Sequence, residues 1–224
     1  MREKLRNFQK ELRIHGGQHF LRWLSWHTPG WLFHFDHTTN WLSVGTVMKP
    51  PFDDNLLFRM ATEADAEMMR QLSVSPEEFR RRLHLDDKCA IAMRNDEVRS
   101  MCWAAIGKLW IKTSGSVLDT GNEGLYVYNG YTLPDERGKG LLKGCYKVLF
   151  DYYYPQGRTK VHSAISAFNH VSQVVNRKVG AVSVGETVRV RLFGLNICYY
   201  KRWPYPIRRL QFFVRRPAAD ARGV

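Results

Sequence analysis

Arg137-Gly138-Lys139-Gly140-Leu141-Leu142 is the stretch of this chain best equipped to hold a charged ligand. Strand formers from Leu125 to Thr132 lead into it through Leu133 and Pro134, and a helical pattern from Leu141 to Tyr154 leads out. A strand that turns on glycines into a helix leaves the helix's first N–H groups without carbonyl partners. It also aims the positive end of the helix dipole at the same point. Such a turn holds phosphate, so the sequence predicts a phosphorylated cofactor. Lys139, Lys143 and Lys147 are four residues apart and share a helix face near that anion; a solvated basic stripe would look the same.

Other reactive side chains lack a productive pattern. Cys89, Cys102, Cys145 and Cys198 stand far apart in apolar runs. Without C-x-x-C spacing they read as reduced, buried thiols, not as a zinc site or a disulfide framework. His15 and His19 have i, i+4 spacing, but Gly16-Gly17 undermines the helix it needs. His34-Phe35-Asp36-His37 matches no metal-ligand spacing, so no metal is expected. No Gly-x-Ser-x-Gly marks a serine hydrolase. His162 has a suitable pKa for proton transfer, with a structural histidine as the plainer reading.

The elements that must position the loop alternate from Asn55 onward. Leu56–Phe58 reads as a short strand. Thr62 and Ser75-Pro76-Glu77-Glu78 each start a helix by capping. Lys88–Arg94 and Val98–Trp110 read as a hairpin about Asn95-Asp96. Then come a strand over Gly124–Thr132, a helix over Leu141–Tyr154, a strand over Lys160–Ile165, a helix over Val171–Lys178 and a last hairpin over Val182–Tyr200. That order predicts an α/β or α+β domain with a mixed sheet.

The chain has 224 residues and a formal net charge of +13. That length supports one domain with appendages, and the charge favours anionic ligands or surfaces without choosing among nucleic acid, acidic membrane and polyphosphate cofactor. Three regions are expected: an N-terminal helical extension over 1–50, a main domain over 51–200 and a basic, aromatic tail over 201–224. The first holds Trp23, Trp26, Trp31 and Trp41, with helices over about Arg2–Ile14 and Gln18–Trp26; Lys49-Pro50-Pro51 reads as a connector. It would pack as an extra helical layer, mediate self-association as a homodimer, or dock on a membrane with the tail. In the tail, Pro204 and Pro206 argue against a continuous amphipathic helix. With no run of about 18 apolar residues and no signal-peptide core, the expected location is cytoplasmic, with peripheral contact at the inner face of the membrane.

Taken together, loop and element order resemble the GNAT superfamily of N-acetyltransferases over roughly Asn55 to Tyr200. The family's pyrophosphate loop reads Arg/Gln-x-x-Gly-x-Gly/Ala. Arg137 and Gly140 match it, and Leu142 stands where the last small residue belongs. Asn169, Ser172, Lys178 and Gly180 fit a second signature after the fifth family strand. The resemblance implies a mixed, mostly antiparallel central sheet flanked by helices, here with the Trp-rich N-terminal helical extension. It also implies acetyl-CoA, or another acyl-CoA, as co-substrate, with the amide groups from Arg137, Gly138, Lys139, Gly140, Leu141 and Leu142 on the pyrophosphate. Tyr131, Thr132, Leu133 and Asn169 would meet the pantetheine arm.

The implied chemistry is direct attack of a primary amine, on a small molecule or amino sugar, at the thioester carbonyl. Glu123, Tyr126 and Tyr128 on the fourth family strand are the candidates for the base or its water relay; each also reads as an ordinary strand-end charge or core aromatic. Many relatives carry a Tyr seven residues after the Asn to protonate the leaving thiolate, and this chain has Asn176 there. Arg80-Arg81-Arg82, Arg189 and Arg191 suggest an acceptor with acidic groups. Two other classes stay open: a non-catalytic acyl-CoA-binding module, and a basic nucleic-acid-binding protein.

Overall fold

The structure is a computed structural model that describes residues 16–44, 55–202, 209–213 and 222–223. The helix expected over Arg2–Ile14, the Lys49–Pro51 connector and the prolines of the tail lie outside those residues. A helix over 16–27 (α1) is followed by strands β1 (Phe33–Val44) and β2 (Leu56–Met60) and then helix α2 (Pro76–His84). The next strands are β3 (Lys88–Arg94), β4 (Glu97–Ala105), β5 (Lys108–Ile111), β6 (Ser116–Asp119) and β7 (Gly124–Thr132). After them run α3 (Leu141–Tyr153), β8 (Lys160–Ser166), α4 (His170–Lys178), β9 (Val182–Leu192), β10 (Leu195–Lys201), β11 (Arg209–Phe213) and β12 (Arg222–Gly223).

Among the described residues, nine strands form one sheet in the order β11-β10-β9-β1-β8-β7-β4-β3-β2. Its pairs are antiparallel except β7 with β8. Local chemistry accounts for much of it. Asn95 and Asp96 both take positive φ, 51° and 60°, the mirror-image turn that joins β3 to β4 with the twist a hairpin needs. Ser75 accepts the N–H of Glu78, and Pro76 opens α2.

The two faces of the sheet carry separate cores. On one, α3 buries Leu141, Cys145 and Leu149, spaced four apart, against Ala92, Ala104, Leu125 and Val127. On the other, Phe79 of α2 packs with Trp103 and Ile91, while the β5–β6 hairpin covers Tyr126 with Leu109 and Leu118.

Four details depart from the sequence reading. The expected helical extension is helical over 16–27, but Phe33–Val44 is a strand inside the sheet, between β8 and β9. Asp36 and Asn40 are disfavoured in strands, and pairing on both sides overrides that. The strand expected over Val98–Trp110 breaks at Gly107, φ 89°, and β5 leaves to pair with β6, which local pattern did not reveal. The helix expected from Thr62 is two short 3₁₀ turns, Glu63–Asp65 and Met68–Leu72. Finally, Arg209–Phe213 of the tail extends the main sheet beside β10.

Candidate functional site

β7 and β8 run side by side for only three pairs: Gly124 with Lys160, Leu125 with Val161 and Tyr126 with His162. Beyond Tyr126 they part. β8 continues along β1 as far as the Thr38–Ser166 pair, while β7 stays with β4. A bulge in β7 marks the divergence: Tyr128 faces Trp103 and Tyr131 faces Met101, so three steps on β7 match two on β4. The extra residue falls at Asn129-Gly130, with Asn129 at φ 48°. A bulge strengthens local twist and bends its strand away.

The wedge between the strands is a groove. Val127 to Gly130 line one wall and Ser163 to Ser166 the other. Leu142 and Tyr146 of α3, and Asn169, Ser172 and Asn176 of α4, complete it. The N-terminus of α3 stands beside it. Gly140 occupies the cap position at φ 82° and has no side chain with which to cap the helix; Gly138 takes φ 81°. Both glycines adopt a conformation that a Cβ disfavours, and the first-turn N–H groups of α3 remain free of intrahelical partners. That donor set, next to a groove, suits a diphosphate.

Arg137 fastens the loop to the end of β7: its Nε donates to Thr132 O at 3.2 Å and its guanidinium sits 5.9 Å from the Tyr131 ring. Lys139 lies 3.2 Å from buried Glu136, which also lies 3.4 Å from Arg94; Lys147 pairs with Asp151. Two of the three stripe lysines therefore already have protein counter-charges. Leu142 rests on the bulge, since a Cβ on Gly130 would lie 3.1 Å from Leu142 Cδ1. The glycine makes room for the bulky residue.

Tyr131, Thr132 and Leu133 remain laddered to β4. Ser100 Oγ donates to Tyr131 O at 2.9 Å and meets Thr132 Oγ1 at 2.8 Å, while Leu133 N–H donates to Arg99 O. The groove wall is the preceding stretch, Val127–Gly130. Asn169 is at the mouth as the cap of α4, its Oδ1 accepting Ser172 N–H at 3.1 Å. Asn176 is buried and engaged at both ends: Oδ1 accepts from Ser163 Oγ at 3.0 Å and Nδ2 donates to Ser172 O at 3.1 Å.

The three strand candidates separate. Tyr128 lines the groove and donates its phenol to Asp87 Oδ2 at 2.5 Å; Arg82 lies over the rings of Tyr128 and Trp103. Tyr126 stacks on Tyr128 with centroids 6.0 Å apart but is buried in the core, and that burial pushes its hydroxyl well above the usual phenol range. Glu123 is exposed at the paired end of the strands, where its bond to Lys160 at 2.5 Å holds the carboxyl below its usual range. His162 is pushed down by burial. Asp87, Asn129, Tyr146, Ser163 and Ser166 had no sequence signal of their own; only the strand geometry assembles them. Of the arginines read as acceptor contacts, Arg80 pairs with Glu67 and Arg81 and Arg82 with Glu78, while Arg189 and Arg191 donate to the neutral Asn196, and none of the five lines the groove.

Solved structures share this fold. A protein from Novosphingobium aromaticivorans, described as an acetyltransferase of the GNAT family, superposes with a TM-score of 0.51 at 12% identity, over 70% of this chain and 63% of its own. The fold is that of the GNAT N-acetyltransferases. A Gcn5-related N-acetyltransferase from Sphaerobacter thermophilus shares the GNAT fold at a TM-score of 0.50 and 13% identity, over 79% of this chain and 56% of its own. A Staphylococcus epidermidis protein of unknown function matches at 0.50 and 7% identity, over 75% and 64%. This chain therefore spans less than two thirds of each of those relatives. No protein-family model and no curated protein sequence matches it. At such identities the likeness is one of GNAT fold, so activity must be argued from the site. Among the described residues no helix is long and apolar enough to cross a membrane, and no group of three potential ligands is placed to hold a metal.

Proposed function

We propose that this chain is an acyl-CoA-dependent N-acyltransferase that moves acetyl from acetyl-CoA to a primary amine of a small molecule or amino sugar. One observation carries the reading: β7 and β8 part directly beside the uncapped N-terminus of α3. Bound acyl-CoA would supply an activated thioester carbonyl. The N–H groups from Gly138 to Leu142 would meet the diphosphate, favoured by the helix dipole. The parted strands would take the pantetheine arm, with Asn169 at the mouth. Holding an amine and the thioester together in that wedge supplies much of the rate.

An amine is mostly protonated at neutral pH, so its proton must be removed before attack. The Tyr128–Asp87 pair fits that task. Tyr128 Oη would accept the amine proton, directly or through water, while its own proton passes to Asp87 Oδ2 along the existing bond. Glu123 and Tyr126 lack that position, the one exposed at the far end and the other buried. Asn176 favours a second reading, an acyl-CoA-binding module without turnover, because an amide cannot protonate a leaving thiolate.

Calorimetry with coenzyme A and acetyl-CoA, followed by thiol release over a panel of amines, tests both. Binding with turnover is expected. Binding without turnover on any amine would leave the module, and no binding at all would remove both.

A further inference from the structure

Residues 12–35 and 187–219 of this basic chain, like the intervening 152–185, contain neither Asp nor Glu. The first and the last of these are far apart in sequence, and among their described residues the fold sets the start of β1 beside the end of β9. β1 pairs with β9 from Phe33–Leu192 onward. The turn before β1 clasps the tip of the β9–β10 hairpin, where Phe193 N–H donates to Leu32 O at 3.0 Å and Gly194 N–H to Trp31 O at 2.9 Å.

Large apolar side chains face water at this end. Phe193 is 76% exposed and Trp31 65%, and Leu192 and Leu195 flank the tip. Phe193 also has φ 48°, in the left-handed region where hairpin tips normally carry Asn or Gly. A bulky residue there is strained, and a side chain in water contributes no core packing in return. Cations flank them: Arg191 reaches Gly30 O at 3.4 Å at the tip, and Arg22 lies 4.7 Å from both the Trp26 and Phe168 rings, with Phe168 against Phe35 of β1.

Outward aromatics on stretches that carry Arg and no acid, with partly exposed Asp36 beside them held by His34 at 2.7 Å, match one environment in particular. Aromatic rings settle at the bilayer interface, and nearby Lys and Arg are drawn to anionic headgroups. We propose that this end of the sheet docks on the surface of an anionic phospholipid bilayer, with Phe193 and Trp31 entering the interface and Arg22 and Arg191 facing the phosphates. A second copy of the chain would bring a like-charged surface to this one. A nucleic acid would find no ring to stack on at Leu192 and Leu195.

The test is flotation of the full chain with vesicles of phosphatidylcholine alone or mixed with phosphatidylglycerol, at low and high salt. The expected result is flotation with the anionic vesicles only, weakened by salt, with a blue shift of tryptophan emission. Phe193→Gly should weaken partition by about tenfold without lowering the melting temperature, because glycine relaxes the positive φ. Trp31→Ser should weaken it similarly. No flotation with either vesicle overturns the proposal, as does unchanged flotation of both variants. So does a dimer that Phe193→Gly dissociates without any vesicle binding, or salt-sensitive retention on RNA with no flotation. None of these outcomes depends on acyl transfer, so they stand apart from the reading of the groove.

Discussion

Tyr128 and Asp87 are joined by a 2.5 Å hydrogen bond that ties the groove wall of β7 to the residue just before β3. The carboxylate is 2% exposed, so the bond lies out of water, where it is electrostatically strong. Tyr128→Phe removes one partner of a buried acid and should cost about 1–2 kcal/mol of stability, read by urea unfolding. If the pair relays the amine proton, Tyr128→Phe and Asp87→Asn should each lower kcat by about a hundredfold. Coenzyme A affinity should stay unchanged, and the alkaline shape of the pH–rate profile should shift. Lost stability with unaltered turnover would confine the pair to architecture.

Gly140 occupies the N-cap position of α3 at φ 82° and leaves it without a side-chain cap. Gly140→Ala should cost about 1–2 kcal/mol through the left-handed backbone and disturb the loop that faces the groove. A coenzyme A Kd raised by about tenfold, corresponding to about 1.4 kcal/mol, is expected from calorimetry. An unchanged Kd would place the diphosphate elsewhere.

Gly144 lets α3 approach β2. A Cβ there would fall 2.1 Å from Phe58 Cε1, so the ring or the helix must move. Gly144→Ala should destabilise by about 1–3 kcal/mol, despite alanine's better helix propensity. Pairing it with Phe58→Leu, which vacates the ring position, should recover part of the loss in thermal unfolding.

Glu78 bonds Arg81 at 2.6 Å and Arg82 at 2.8 Å, and these pairs hold its carboxyl down from 4.5 to about 2. A folded-state pKa below the unfolded one contributes stability that is complete above pH 4.5 and is lost as pH falls toward 2. Glu78→Gln should therefore flatten the stability profile across that acid window and leave the slope above pH 5 alone. Half-exposed as it is, the cluster is screened by solvent, so the effect should shrink further in high salt. An unaltered acid limb would show that Glu78 is not held by these arginines in solution.

Several elements were readable because their signals are local. Ser75 and Pro76 start α2, Asn95-Asp96 turn β3 into β4, and Gly138 and Gly140 bend the chain into α3, each through bonds or dihedrals within a few residues. The loop that carries the cofactor reading belongs to this group. The strand β1 does not. Asp36 and Asn40 within it are poor strand formers, and its place depends on Ser166, Thr187 and Gly185, far along the chain.

Sequence alone determined the glycine-capped turn, the core-facing stripe of α3 and the acid-free stretches, since each is a property of neighbouring residues. Tertiary structure alone decided that β7 and β8 part after Tyr126, that Tyr128 meets Asp87, and that Trp31 and Phe193 share one exposed end. The physical reason is that a sheet takes its hydrogen-bond partners from distant segments. Their register, not their local preferences, sets which side chains meet.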